Sequence, residues 1–347
     1  MKNSRPHFKH IKMLHKCKRS KKGFEMSFSV IFSIIAGAII LSLAIYATIK
    51  FINIGQETTY VEAAKEIDNS LGDLVTGIAE GVSTKITFRK ETRVLFNCSP
   101  PPEDINSPFG KQTIGFSEQS GIGQEWYESK TKITRKNKYV FANNTEQGKK
   151  MFIFIKPFYM GFKVDDLIIM SSSNYCFVTS GTPYPSRIIE DLRNLQMENI
   201  QFAGSVDECG AGNITVCFNS YGCNINIDSP SRLGYDDYEI GSVEKNREYF
   251  NYVGNLLYGA IFSSKEIYSC NLDRLGKKTA TLAELYLGKI SVVPSSCSSA
   301  IGSDLSTLMD AFNAGNIINK YGTAKSMDNT NALANCKIYP GESYGNV

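Results

Sequence analysis

The sequence predicts an α+β protein. An N-terminal transmembrane helix with an extracytoplasmic extension is expected first, then a disulfide-stabilised, mainly antiparallel β head with C-terminal helices. Three observations predict this architecture. An apolar run occupies residues 27–49, the hydrophobic period changes from helical to strand-like near residue 84, and eight of the nine cysteines follow the run. Strands that precede helices along a chain favour α+β over a doubly wound sheet.

The apolar run extends from Ser27 to Ile49, and none of its side chains is charged. At about 1.5 Å per helical residue it has roughly the 30 Å length of a bilayer's hydrocarbon core. A cleaved secretory signal has a shorter apolar core of about 7–15 residues and a small-x-small cleavage site. The residues after Ile49 offer no clear site of that kind. We therefore expect an uncleaved helix surrounded by membrane lipid.

The charges around this run predict its orientation. Residues 1–23 carry nine of the 38 Lys and Arg and no acidic residue, and such a basic flank stays on the cytoplasmic side. Subtracting those nine leaves 29 Lys and Arg against 34 Asp and Glu in residues 24–347, a formal net charge of −5. A mildly acidic exterior is unfavourable for binding nucleic acid. The sequence thus predicts a single-pass cell-membrane protein with a cytoplasmic N-terminus and no nucleic-acid partner.

Four segments follow from these patterns. The helical spacing of Val61, Ala64 and Ile67 predicts that the helix continues beyond the membrane as a stalk. The alternating pattern that follows is long enough for one large domain or two small ones, and we favour one. The predicted segments are a cytoplasmic tail at 1–26, a transmembrane helix at 27–49, a helical stalk at 50–82 and an extracytoplasmic α+β domain at 83–347.

Several elements within that domain are predicted individually. Residues 151–157 read as a strand covered on both faces, because Phe152 and Phe154 alternate with Ile153 and Ile155. Residues 229–248 are polar and predict a loop, and residues 256–262 predict a strand. Helices are expected at 185–197, 264–290, 303–314 and 325–335.

The distribution of histidine argues against several kinds of catalysis. All three histidines, His7, His10 and His15, lie in the predicted tail. The predicted external part therefore lacks the histidine that Ser-His-Asp catalysis, Cys-His catalysis and His-ligated zinc require. Asp165 and Asp166 are adjacent on a predicted strand, where successive side chains point to opposite faces. The sequence thus predicts no catalytic residue, no metal ligand and no cofactor, and it favours a protein that is not an enzyme.

The cysteines predict a disulfide framework. Cys17 lies in the tail, and an even set of eight lies in the oxidising exterior, which predicts up to four bridges. The sequence does not choose the connectivity, although three of the eight lie close enough together for at least one local bridge. The candidates are Cys98, Cys176, Cys209, Cys217, Cys223, Cys270, Cys297 and Cys336.

Three N-x-S/T triplets are candidate glycosylation sites on the same side of the membrane. They begin at Asn97, Asn143 and Asn213. Such triplets are acceptors in exported proteins. They agree with the predicted topology without establishing it.

The residues before the apolar run resemble the class III signal of type IV pilin-like surface proteins, including archaeal ones. Lys21-Lys22-Gly23-Phe24-Glu25 has the basic leader, a glycine before the cut and a phenylalanine after it. The resemblance covers residues 18 to about 80, and it implies cleavage between Gly23 and Phe24 and assembly through the N-terminal helix. Glu25 departs from the family pattern, in which the acidic residue comes later. An ordinary basic flank is the alternative interpretation.

The sequence favours a structural or interaction protein at the cell surface, with a pilin-like subunit as its specific form. Ser29, Ser33 and Gly37 place small side chains on one helix face, which favours self-association in lipid. An anchored ligand-binding module, or an accessory subunit of a membrane complex, is the second hypothesis. An extracytoplasmic enzyme that works with carboxylates is the third.

Overall fold

The structure, a computed structural model, divides into two compact units, Met1–Gly55 and Gln56–Val347. The described residues are 28–76, 83–101, 107–119, 126–180, 185–229, 238–294, 301–310, 316–334 and 337–340.

Helix α1 is Phe28–Thr76. In the part of the chain that the structure describes, one helical segment is long and apolar enough to cross a membrane, Phe28–Lys50, and none of it is buried. Its exposed apolar side chains, such as Phe28 and Ile40, distinguish it from the core helix of a water-soluble domain. The apolar run is therefore helical, as predicted, and is a candidate membrane anchor.

Sheet A contains six strands in the order β3-β2-β1-β5-β6-β4. Its neighbours are antiparallel except β4 and β6, which are parallel. The strands are β1 Ser83–Ser99, β2 Lys111–Gln119, β3 Trp126–Arg135, β4 Tyr139–Phe141, β5 Thr145–Tyr159 and β6 Lys163–Ser171.

Sheet B also contains six strands, in the order β12-β11-β10-β9-β7-β8. Its strands are β7 Tyr175–Val178, β8 Ile200–Ala203, β9 Ile214–Phe218, β10 Ile225–Asp228, β11 Ile240–Lys245 and β12 Glu248–Val253.

Sheet B has mixed pairing, whereas sheet A is mainly antiparallel, as predicted for the head. Strand β7 is parallel to β8 and β9, and β9 is parallel to β10, whereas β10, β11 and β12 are antiparallel. Helix α2, Ser186–Asn194, connects β7 to β8, and such a crossover returns the chain in the same direction. The protein is therefore α+β with two mixed sheets.

The remaining helices follow sheet B. They are α3 Leu256–Phe262, α4 Lys265–Ile290, α5 Gly302–Leu308 and α6 Ile317–Leu333. Helix α4 has almost the predicted bounds, whereas α5 ends earlier than predicted and α6 begins eight residues before the predicted helix.

Two predicted elements were wrong. Residues 256–262 form helix α3 instead of a strand, and all seven residues are buried. A wholly apolar segment of this length has no polar face, so its period does not distinguish a helix from a strand. The predicted polar loop at 229–248 contains β11, which pairs with β12 as an antiparallel hairpin.

The two faces of sheet A contact two separate apolar clusters. Ile153 of β5 belongs to the cluster that includes Ala63, Ala64 and Ile67 of α1. Phe154 belongs to the other cluster, which includes sheet B and helices α2 and α3. The prediction that β5 is covered on both faces is confirmed.

Among the described residues, three disulfides stabilise the second unit. They are Cys98–Cys270, Cys176–Cys209 and Cys217–Cys223. The short-range Cys217–Cys223 bridge confirms the predicted local pair, and Cys98–Cys270 joins strand β1 to helix α4. Cys297 and Cys336 lie outside the described residues.

Arg274 of α4 is fully buried and connects the helix to the edge of sheet A. Its Nε donates to the carbonyl oxygen of Phe109 at 2.8 Å, and its Nη2 donates to that of Lys136 at 2.9 Å. Its Nη1 donates to the carbonyl oxygen of Lys138 at 2.9 Å and to Asn271 Oδ1 at 2.8 Å. Burial lowers the pKa of Arg274 to about 10, which leaves the guanidinium charged at neutral pH.

Replacement of Arg274 by Met should lower the free energy of unfolding by about 3–5 kcal/mol, because it removes a buried charged donor that serves three backbone carbonyl groups. The measurement is chemical denaturation of the full chain in detergent. Arg89→Met is the control, since Arg89 is largely exposed and pairs with Glu62 at 3.4 Å. Its expected effect is below about 1 kcal/mol. Equal effects of the two variants would contradict the structural role of Arg274.

Candidate functional site

A cavity of about 510 Å³ lies at one end of sheet B, and we call it the Lys245 cavity. The first residues of β7 and β9, the β11–β12 turn and the start of α4 contribute to its wall. Its lining includes Asn143, Tyr175, Asn213, Lys245, Phe250 and Lys265.

The β11–β12 hairpin directs Lys245 toward this cavity. Lys245 is the last residue of β11 and pairs with Glu248, the first residue of β12. The two turn residues, Asn246 and Arg247, have positive φ angles of 54° and 65°, the pattern of a type I′ turn. Alternation along β11 buries Val243 and Lys245 on the same face.

The Lys245 side chain contacts the end of helix α3. Lys245 is 8% exposed, and its Nζ donates to the carbonyl oxygens of Ile261, at 3.0 Å, and Ser263. Carbonyl groups at a helix C-terminus carry partial negative charge and favour a cation. The Nζ also lies 4.7 Å from the centroid of the Phe250 ring.

Burial changes the protonation of Lys245. It lowers the pKa of the amine to about 7, and the negative charges of Glu146 and Glu248 oppose this shift. Desolvation disfavours the charged form of a buried lysine, and two nearby carboxylates favour it. The amine and the ammonium are therefore both populated near neutral pH.

Glu146 is a second buried ionisable group next to the cavity wall. Its carboxylate accepts hydrogen bonds from Asn143 Nδ2 at 2.7 Å, from the Ser172 amide at 2.7 Å and from Ser172 Oγ at 2.6 Å. These donors satisfy the buried carboxylate. The pKa of Tyr175 is raised by burial and by the charge of Glu146, so the phenol stays protonated.

Lys265 contributes a second cation to the cavity. It is the first residue of α4, and its Nζ donates to the carbonyl oxygen of Tyr249. This Nζ lies 4.6 Å from the centroid of the Phe250 ring. The Nζ atoms of Lys245 and Lys265 therefore both lie within cation–π distance of the Phe250 ring at the end of sheet B.

A smaller depression, which we call the tyrosine face, is lined by Tyr221, Asn226, Glu244 and Tyr249. Tyr221 is 85% exposed and Tyr249 is 60% exposed. The charge of Glu244 raises the pKa of Tyr249. Tyr221 lies within the short loop that the Cys217–Cys223 disulfide closes. Exposed tyrosines, here one on a disulfide-closed loop and one on a strand, are typical of recognition surfaces.

Two of the three predicted glycosylation sites lie at the Lys245 cavity. Asn143 and Asn213 both contribute to its wall, and Asn213 Nδ2 donates to Gln201 Oε1 at 3.1 Å. Asn97 is exposed on β1. A glycan on Asn143 or Asn213 would compete with a ligand for the cavity. Glycosylation itself stays a prediction.

The other sequence-predicted positions do not form a site among the described residues. Asp165 pairs with Lys278, and Asp166 pairs with Lys163 at 2.7 Å. Glu239 pairs with Lys325 at 2.7 Å. No group of three His, Cys, Asp or Glu side chains in the described ranges is arranged to hold a metal ion. Gly23 and Phe24, the predicted cleavage position, lie outside those ranges.

Sequence reasoning missed Lys245 and Glu146. Lys245 belongs to the segment that was predicted as a loop, although Val243 and Lys245 alternate with Glu244 as a strand would. The Asn246-Arg247 turn lacks the glycine that usually marks a two-residue hairpin. Glu146 precedes the apolar part of β5, where the sequence contains no sign that a carboxylate is buried.

Comparison of the chain with protein-family models, with curated proteins and with solved structures gives no match. The arrangement itself offers two lysine side chains and several amide side chains around one cavity, with the buried carboxylate of Glu146 next to its wall. These groups suit the recognition of a small polar molecule.

Replacement of Lys245 by Met should change the pH dependence of stability. Because the pKa of Lys245 is lower in the folded protein than its ordinary value of 10.5, the unfolded chain binds more protons than the folded one between about pH 7 and 10.5. The stability of the wild-type protein therefore rises with pH in this window, relative to the variant, by up to about 1.4 kcal/mol per pH unit.

Thermal or chemical unfolding of both proteins from pH 6.5 to 9.5 checks this expectation. Val243→Ala is the matched control, since it removes buried atoms from the same strand without removing a titratable group. Its difference from the wild type should stay constant over the window. A constant difference for Lys245→Met as well would contradict the lowered pKa.

Proposed function

We propose that this is a membrane-anchored cell-surface protein whose α+β head acts on the extracytoplasmic side as an interaction module. The observation that carries the proposal is the combination of an exposed apolar helix with a disulfide-bonded domain that follows it. Disulfides form and persist in oxidising compartments. The nine basic residues before the helix orient the head toward that compartment.

Recognition fits the surface of the head better than catalysis. The external part contains no histidine, and the carboxylates of Asp165, Asp166 and Glu239 are each paired with a lysine. The tyrosine face and the Lys245 cavity lie on the two sides of the β11–β12 hairpin, with Glu244 and Tyr249 on one side and Lys245 and Phe250 on the other. A partner or a small ligand would bind at this end of sheet B.

Protease added to intact cells should digest the head while residues 1–27 stay protected, because the proposed orientation exposes the head to the medium. Alkylation of the denatured protein should label the six bridged cysteines only after reduction. Peptide mapping by mass spectrometry measures both results. Protection of the head, or alkylation of those cysteines without reductant, would contradict the proposed location.

A variant tests the anchor within the same experiment. Replacement of both Ile39 and Ile40 by Lys costs about 2.5–3.5 kcal/mol per residue at the centre of a membrane helix, so the protein should leave the membrane fraction. The matched control replaces both residues by Leu and should remain in that fraction.

A pilin-like subunit is the second candidate function. Helix α1 extends from the candidate span to Thr76, and its residues Ala63, Ala64 and Ile67 are buried in one apolar cluster with sheet A. A long N-terminal helix that ends against a β-rich head is the arrangement that the resemblance to type IV pilins implies. In this function the helix would store the subunit in the membrane before assembly.

Leader processing distinguishes the pilin-like function. If it is correct, the mature protein should begin at Phe24, and Gly23→Val should abolish cleavage because the peptidase requires a small residue at that position. Intact-mass analysis and N-terminal sequencing measure the outcome. Gly37→Ala is the control, since a Cβ at Gly37 meets no atom within 4 Å. Mature protein that retains residues 1–23 would exclude the pilin-like form and leave the anchored interaction module intact.

A further inference from the structure

We propose that Lys245 is a nucleophilic amine that binds small 2-oxo acids reversibly as an imine inside the Lys245 cavity. This inference goes beyond the proposed interaction function and does not depend on the membrane anchor.

The hydrogen bonds of Lys245 fit the neutral amine. A neutral amine has two N–H donors and one lone pair, and two carbonyl oxygens, those of Ile261 and Ser263, accept from the Nζ. Both donors of the neutral form are therefore used, and the lone pair is directed away from the two carbonyl groups.

Burial provides the reactive form at physiological pH. Because the pKa of Lys245 is lowered to about 7, a large fraction of the side chain is unprotonated near neutrality. A lysine with an ordinary pKa near 10.4 is unprotonated in only about one molecule in a thousand or fewer. Desolvation of a lysine is an established way to make its amine a nucleophile.

The cavity determines the class of carbonyl compound. Its volume of about 510 Å³ accommodates a small molecule, and Lys245 is only one of its polar groups. Lys265 approaches the same Phe250 ring, with its Nζ 4.6 Å from the ring centroid. A compound with a carboxylate next to its carbonyl group would pair the carboxylate with Lys265 and present the carbonyl carbon to Lys245. The amide groups of Asn143 and Asn213 supply further hydrogen bonds.

The reaction needs no oxidant or reductant. The Lys245 lone pair attacks the carbonyl carbon, and the π electrons of the C=O bond move to oxygen. A proton passes from nitrogen to that oxygen, which gives a carbinolamine. Loss of the hydroxyl group together with the remaining nitrogen proton releases water and forms the C=N bond. Addition of water reverses the sequence and regenerates the free lysine.

Reductive trapping tests the proposal. The full chain in detergent at pH 7 is incubated with pyruvate and sodium cyanoborohydride, which converts an imine into a stable secondary amine, and the modified lysines are located by peptide mapping. We expect Lys245 to be modified at least about tenfold more than the exposed Lys132 and Lys277, since imine formation requires the unprotonated amine. Equal or lower modification of Lys245 would overturn the proposal.

Two comparisons separate this result from general lysine chemistry. Unfolding in urea should remove the preference for Lys245, because the preference depends on burial. Acetaldehyde has a carbonyl group without a carboxylate, and its preference for Lys245 should be several-fold smaller than that of pyruvate. If Lys245 were still modified in preference to the exposed lysines after unfolding, the cavity would not be the cause of its reactivity. If pyruvate and acetaldehyde showed the same preference for Lys245, 2-oxo acids would not be the ligand class. The comparison uses positions within one wild-type sample, so it does not depend on the folding of a variant.

Discussion

The position of helix α4 depends on the buried guanidinium of Arg274. Its donors hold the backbone at Phe109, Lys136 and Lys138, while the Cys98–Cys270 disulfide attaches the same helix to β1. A buried guanidinium is stable only when its donors are satisfied, so these segments must form together. The first turn of α4 also contributes to the Lys245 cavity. The hydrogen bonds of Arg274 at the edge of sheet A, which position helix α4, thus also position one wall of the cavity.

Arg274 and Lys245 respond differently to the same physical environment. Both are buried, and both donate to backbone carbonyl oxygens. Desolvation lowers both pKa values, to about 10 for Arg274 and to about 7 for Lys245. The guanidinium starts from a higher value and remains a permanent cation, suited to structure. The amine reaches the physiological range, where its charge depends on pH and its lone pair becomes available.

The sequence predicts best where the length or the period of an element is distinctive. The apolar run was predicted from its length, strand β5 from alternating aromatic and aliphatic residues, and helix α4 from the helical spacing of its apolar residues. The segment that forms helix α3 was wrongly predicted as a strand because all of its residues are buried. The long-range disulfides were left open since their pairing depends on the topology of the fold. The Lys245 cavity could not be predicted because Asn143 and the first residues of β7 and β9 are far along the chain from the β11–β12 turn and the start of α4.

The absence of histidine after His15 has a different meaning once the cavity is known. Histidine is the side chain whose ordinary pKa lies near neutrality, and its absence removes the usual proton-transfer group from a site. Burial, however, moves the pKa of Lys245 into the same range, and composition alone does not reveal burial. A group that titrates near neutral pH is therefore created by the fold: Lys245, at the inward position of β11, is placed against the carbonyl end of α3 by a two-residue turn.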